Sequence, residues 1–179
     1  MTLAPVDTIH ESVTIHAPLE RCFSLSTRIE LVQRTLGMTP IAGVTSGHIG
    51  ENSRVTWSGW KFGLPTQHHT LITAFEAPHA DSTTSKAAFF QDTQERGRFA
   101  FFQHDHHFAE ELDGERITVL RDEVRFALPF GPLGRLAAKF LLAPHIRRLA
   151  RQRFAMIKDL AEGEGWREWV EEVASEQTR

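Results

Sequence analysis

Short runs of alternating apolar and polar residues fill most of this chain, and only afterwards does the period lengthen to that of a helix. Val13 and Ile15 alternate with polar neighbours across residues 10–16, the pattern of a half-buried strand. Ala17-Pro18 interrupts it, and Pro18 suits the first turn of a helix. Leu19, Cys22, Phe23 and Leu25 then give a short helical stripe, and residues 29–36 a second one ended by Gly37. A weak strand over 41–44 lies among Gly43, Gly47 and Gly50. Residues 54–61 (RVTWSGWK) form a clearer strand, turned by Phe62-Gly63-Leu64-Pro65 into a returning strand over 66–75. Residues 76–85, with Pro78 and several Ser and Thr, read as a loop. Strands follow over 86–94, 98–111 and 116–128. From Leu133 to about Glu162 the apolar positions Leu136, Phe140, Leu149, Phe154, Ile157 and Leu160 recur at helical spacing. Pro144 should kink or split that helix, because proline lacks the N–H and crowds the carbonyl one turn back. Gly163 and Gly165 stop it, and residues 163–179 read as a short helical or flexible tail.

The last hairpin decides which side chains meet. A three-residue turn at Leu112-Asp113-Gly114, with Gly114 in the left-handed conformation, would place Glu111 opposite Glu115. By counting, His106 then faces Leu120 and His104 faces Asp122. A slip of one residue would turn every side chain to the other face. Asp92, His104, His106 and Asp122 therefore share one face, the same face as Phe90, Phe102, Phe108, Val124 and Phe126. Polar groups on an inner face need partners, since burying one unpaired costs about 1–3 kcal/mol. Their presence points to a cavity with a polar wall, or to a satisfied polar network that fixes strand register. Trp57 and Trp60 have opposite parity, so one should face inward and the other outward.

The 179 residues suffice for one domain with a real core. A net charge of −3 with interspersed signs argues against a nucleic-acid surface, which needs a basic excess. No apolar run approaches the roughly 20 residues that span a bilayer, so no stable membrane insertion is expected. The N-terminus lacks the regions of a signal peptide, and the single Cys22 fits a reducing compartment, so a cytoplasmic location is expected. There is no tyrosine, against thirteen Phe and four Trp. A phenolic general acid is thus excluded, and proton chemistry falls to His, Asp, Glu, Lys or Cys22. Arg147, Arg148, Arg151 and Arg153 read as a solvated helix face, with phosphate or acidic-lipid contact as the alternative.

The order strand, two short helices, six strands and long C-terminal helix resembles the START/Bet v-like helix-grip fold, an α+β architecture. Over residues 8–160 the chain is similar to the SRPBCC superfamily, the polyketide cyclase/dehydrase and lipid-transport group. It is most similar to a bacterial subgroup with three strand patterns. F-x-D-x-Q-x-x-G falls on Phe90, Asp92, Gln94 and Gly97. W-x-H-x-H-x-F falls on Phe102, His104, His106 and Phe108, and D-x-V-x-Y-x-x-P-x-G on Asp122, Val124, Phe126, Pro129 and Gly131. Glu11, Ala17, Pro18 and Phe23 fit as well. Phe102 stands where Trp is usual and Phe126 where Tyr is usual, which removes a hydroxyl from the inner face. The resemblance implies a ligand cavity between a curved sheet and the long helix, not a particular reaction.

Residues 1–162 are thus expected to form a ligand-binding domain. Trp57, Phe90, Asp92, Gln94, Phe102, Val124, Phe126 and Phe140 are the candidate ligand contacts. The expected function is binding of a hydrophobic small molecule: a lipid, polyketide or aromatic compound. The alternative is a cyclase/dehydratase-type enzyme in which His104 or His106 is the general base and Asp122 orients it. Without tyrosine or an activated nucleophile, binding is favoured. His-x-His with a nearby Asp also has the makings of a metal triad, with His68, His69 and His107 as further donors. The chain lacks cysteine ligand pairs and a helical H-E-x-x-H, and the resemblance points elsewhere, so neither a metal nor a cofactor is expected.

Overall fold

A computed structural model describes residues 6–112 and 114–170. Its strands are β1 (Asp7–Ile15), β2 (Thr39–Gly43), β3 (Arg54–Lys61), β4 (Leu64–Ala80), β5 (Ser85–Arg96), β6 (Phe101–Glu111) and β7 (Ile117–Ala127). They form one antiparallel sheet in the order β1-β7-β6-β5-β4-β3-β2. Two helices, α1 (Leu19–Thr27) and α2 (Ile29–Leu36), connect β1 to β2. The C-terminal helix comprises α3 (Gly131–Ala137), a π-helical segment (Ala138–Leu142) and α4 (Ala143–Glu162). This is the helix-grip architecture, with the long helix lying across a curved sheet.

The curvature has a local cause. Between β4 and β5 the register shifts at His69/Thr70, Ile72/Ala74 and Glu76/His79. Each bulge adds an unpaired residue and bends the strand. The third also explains why the expected loop over 76–85 is mostly strand. Pro78 sits inside that bulge, where its missing N–H costs no ladder bond, and β4 continues to Ala80.

The break expected at Pro144 lies just before it. Ala143 donates its N–H to Ala138, a wider turn than the α-helical one. Widening there relieves the clash between the proline ring and the preceding turn.

The larger core cluster centres on Phe23 of α1. Its ring meets Phe75, Phe90 and Phe108 edge-on at centroid distances of 5.3, 6.0 and 5.3 Å. Phe154, Ile157 and Ala161 of α4 close this cluster from the other side. Beyond α4 the chain folds back: Trp169 is buried in the same cluster, with the guanidinium of Arg34 4.7 Å from its ring. The described part of the expected tail therefore packs on the domain. Residues 171–179 lie outside the described residues.

The β6–β7 register differs from expectation. Glu111 pairs with Ile117 and not with Glu115, so the strands slide by two residues; Asp113 of the expected turn lies outside the described residues. His106, not His104, stands opposite Asp122, and His104 stands opposite Val124. The cause is Glu110, which is fully buried. It accepts hydrogen bonds from the Leu19 backbone N–H at the start of α1 (3.1 Å) and from Arg116 Nε (2.7 Å). Arg116 is drawn into that contact and leaves the ladder. Gly114 keeps the expected positive φ of 113°. Because the slip is an even number, every side chain keeps its face.

Phe154 is the test of how α4 packs. Phe154→Ala should lower the unfolding free energy by about 3–5 kcal/mol in urea denaturation, as expected for a buried aromatic ring. A loss below about 1 kcal/mol would mean that another face of α4 carries the packing.

Candidate functional site

Strands β5, β6 and β7 each send side chains to the concave face at every second position, and there four titratable groups converge. His106 Nδ1 lies 2.9 Å from Asp122 Oδ1, and its Nε2 lies 3.2 Å from Asp92 Oδ2. His104 Nε2 is 3.2 Å from Asp122 Oδ2, and its Nδ1 is 3.7 Å from Asp92 Oδ2. The contact between His104 and Asp122 expected from the sequence thus exists, although the two residues are not directly opposed. The His106 ring also stacks on Phe90, with centroids 4.0 Å apart.

A fifth group comes from the helix. Arg153 Nη1 donates to Asp122 Oδ2 at 3.0 Å and lies 3.1 Å from His106 Nδ1. Its Nη2 reaches the Ser26 carbonyl at 3.4 Å. Arg153 is buried, which corrects the reading of it as part of a solvated face; Arg147, Arg148 and Arg151 are exposed. The sequence did hold a signal. Arg153 falls at helical spacing with Ala150, Ile157 and Ala161, all of them buried, so it is an arginine within the apolar stripe.

Burial pushes the Asp122 carboxyl upward, but His106, Arg153 and His104 outweigh it and hold the group well below the ordinary carboxylate range. Burial likewise raises Asp92, and the His106 hydrogen bond with the two imidazoles brings it below its ordinary value. For His106 burial dominates, aided by His104, and its pKa is lowered despite the pull of Asp122. A neutral imidazole has one N–H, so His106 donates to one carboxylate at a time. Arg153 supplies Asp122 with a donor in either case. Burial pushes the Cys22 thiol up to about 12, so it is no nucleophile at neutral pH.

These groups form one wall of a cavity of about 370 Å³ between the sheet and the helix. Of the candidate contacts, Trp57, Phe90, Asp92, Phe102 and Val124 line it, together with His104, His106 and Asp122. Trp57 faces inward and Trp60 outward. Three of the expected contacts lie elsewhere. Phe126 is fully buried in a second core cluster with Ile9 and Ala138. Phe140 is exposed, because the π turn rotates it off the inner face.

Gln94 serves the turn instead of the cavity. Its Nε2 donates to the Phe99 carbonyl (3.0 Å), and its Oε1 accepts from the Phe99 N–H (3.3 Å). A Cβ at position 97 would lie 2.1 Å from that Oε1, which explains Gly97. Two residues of the first strand pattern are therefore structural. The sequence reading missed the lining residues His68, Leu141 and His145, whereas Phe62 and Leu64, in the turn after β3, line the cavity as well.

Asp92, His104 and His106 bring donor atoms within 4.8 Å of one another, close enough to surround a cation. Arg153 already sets a positive charge against the far side of His106. The arrangement can orient a polar group of a cavity ligand, or exchange a proton with it through His104, which is partly open to the cavity.

Arg153→Met should cost about 3–5 kcal/mol, because it leaves the buried Asp122 charge uncompensated. Acidification should also destabilise the protein in two windows. With a lowered pKa in the fold, His106 stays neutral while the unfolded chain takes up its proton below about pH 6.5. Asp92 and Asp122 stay ionised while their unfolded counterparts protonate below about pH 4, so their contribution is present above that pH and lost below it. Urea unfolding across pH should show the lower step shrinking in Asp122→Asn. Unchanged pH dependence in that variant would contradict the assignment.

No family model and no curated protein matches the chain. Several solved structures do. Ara h 8.0201 aligns with a TM-score of 0.58 at 15% identity, covering 88% of this chain and 98% of that one. A START superfamily protein from Mycobacterium smegmatis aligns at 0.57 and 14% identity, covering 86% and 98%. A norcoclaurine synthase point mutant from Thalictrum flavum, in complex with a transition-state analogue, aligns at 0.61 and 10% identity, covering 90% and 97%. With the strand order and the gripped helix already described, these alignments give the chain the helix-grip fold that those structures share.

Proposed function

We propose that the protein binds a hydrophobic small molecule carrying at least one polar group. The apolar body lies against Trp57, Phe90, Phe102 and Val124, and the polar group points at Asp92 and His104. The observation that carries this reading is the cavity itself, about 370 Å³ and mostly apolar, with the cluster of Asp92, His104, His106 and Asp122 on one wall. That composition suits a ligand that needs both burial and orientation. A lipid, polyketide or aromatic compound has this chemistry.

A catalytic reading uses the same wall. His104 has carboxylates near both ring nitrogens and a partial opening to the cavity. As general base it would take a proton from a ligand C–H or O–H, with Asp122 orienting the ring. The norcoclaurine synthase alignments support asking the question and share only the fold.

Native mass spectrometry of the purified protein should find a co-purified apolar compound, or a fluorescent naphthalene probe should bind with one site per chain. Leu149→Trp, which fills space in the cavity, should weaken probe binding at least about tenfold. Absence of both the compound and probe binding would overturn the proposal. His104→Gln separates the two readings. Unchanged probe affinity with lost turnover of a bound compound supports catalysis, and turnover unaffected by the substitution rules out His104 as the base.

A further inference from the structure

Helix α3 and the π segment leave apolar side chains in solvent in a way that the fold does not require. Phe130 is 83% exposed, Phe140 is 67% exposed, and Leu133 and Leu136 between them are also exposed. The spacing of three to four residues places Leu133, Leu136 and Phe140 along one helical stripe, with Phe130 just ahead of the helix. Phe130 moreover adopts a left-handed backbone conformation, with φ of 75°. A β-carbon is unfavourable there, and an exposed phenyl ring gains nothing from the core in exchange.

The same departure occurs nearby. Phe62, in the β3–β4 turn, has φ of 52° and is half exposed with Leu64. Its ring meets His145 of α4 at 5.0 Å, so the turn and the helix meet at one place. Phe62, Leu64, Leu141 and His145 all line the outer end of the cavity. The β3–β4 turn and the π segment, through Leu141, thus both border the cavity.

Charge identifies the partner. From Val124 to Lys158 the sequence contains no Asp or Glu. Arg135, Lys139, Arg147 and Arg148 are exposed along this stretch and, among the described residues, have no ion-pair partner. Lys139 Nζ lies 5.5 Å from the Phe140 ring. Exposed apolar residues interleaved with unpaired cations match the boundary between acyl chains and anionic headgroups. Among the described residues no helix is long and apolar enough to cross a membrane.

We infer that the α3–π face, with the tip of the β3–β4 turn, docks on the surface of an anionic lipid bilayer and sets the cavity mouth against the membrane. Phe130, Leu133 and Phe140 enter the headgroup boundary, and Arg135 and Lys139 contact lipid phosphates. An apolar ligand then passes between bilayer and cavity without crossing water. That last step rests on the proposed binding function, whereas the docking does not.

Vesicle co-sedimentation of the full chain tests the docking. The protein should bind mixed phosphatidylcholine–phosphatidylglycerol vesicles, bind pure phosphatidylcholine vesicles far less, and weaken as salt is raised. The combined Phe130→Ser, Leu133→Ser and Phe140→Ser variant should lose at least about tenfold in vesicle affinity. None of these three residues lines the cavity, so naphthalene-probe binding and the circular dichroism spectrum should be retained. Arg135→Glu with Lys139→Glu is a second, independent variant with the same expected loss. The inference is overturned if the wild type ignores anionic vesicles or binds both vesicle types equally, or if neither variant loses affinity. It is equally overturned if light scattering shows a wild-type dimer that the serine variant dissociates, because the face would then be covered by a second copy. Probe binding is read separately, so a failed cavity and a failed docking face give different results.

Discussion

A single buried carboxylate ties the helix to the sheet. Asp122 sits on β7, between β1 and β6, and cannot be left alone in the interior, since an unpaired buried charge costs several kcal/mol. Arg153 answers it from α4, and His104 and His106 answer it from β6. These contacts fix how the long helix crosses the sheet, and they rule out filling the same place with apolar side chains. The space beside them stays open because the polar wall cannot be covered by hydrocarbon without losing its partners.

Bending and gripping have separate physical origins. Three bulges bend the β4–β5 pair, and the Phe23 cluster fills one end of the concavity. Where the aromatic packing stops, the cavity begins. Phe90 belongs to both, as it packs toward Phe23 on one side and stacks on His106 on the other. The hydrophobic core thus passes directly into the polar wall. Displacing that ring would disturb packing and site together.

The helix itself changes character along its length. In α4 the buried positions face the core and most of the exposed ones are polar, as for any helix packed on a domain. In α3 and the π segment the exposed side carries large apolar residues. The wide turn before Pro144 separates the two regimes, since an extra residue in a turn rotates everything before it relative to everything after. It takes Phe140 away from the interior, where a simple helical count would put it.

The sequence by itself determined the element order, the α+β class and which residues of β5, β6 and β7 share a face. Those features rest on local periodicity, and the period of two survives a slip by an even number of residues. For that reason Asp92, His104, His106 and Asp122 were recognisable as one cluster although the expected turn was two residues too short. Tertiary structure decided the rest. The register of β6 and β7 depended on Glu110 finding Arg116 and the start of α1, contacts that no hairpin rule contains. Arg153 looked like one of four surface arginines until the helix was laid across the sheet. Only then did its position in the apolar stripe become a partnership with Asp122. Phe140 and Gln94 went the other way, out of the cavity, one through the π turn and one through its bonds to Phe99. Periodicity states which face a residue takes within its own element. Which element that face meets is settled by the pairing of buried charges and the closing of the core.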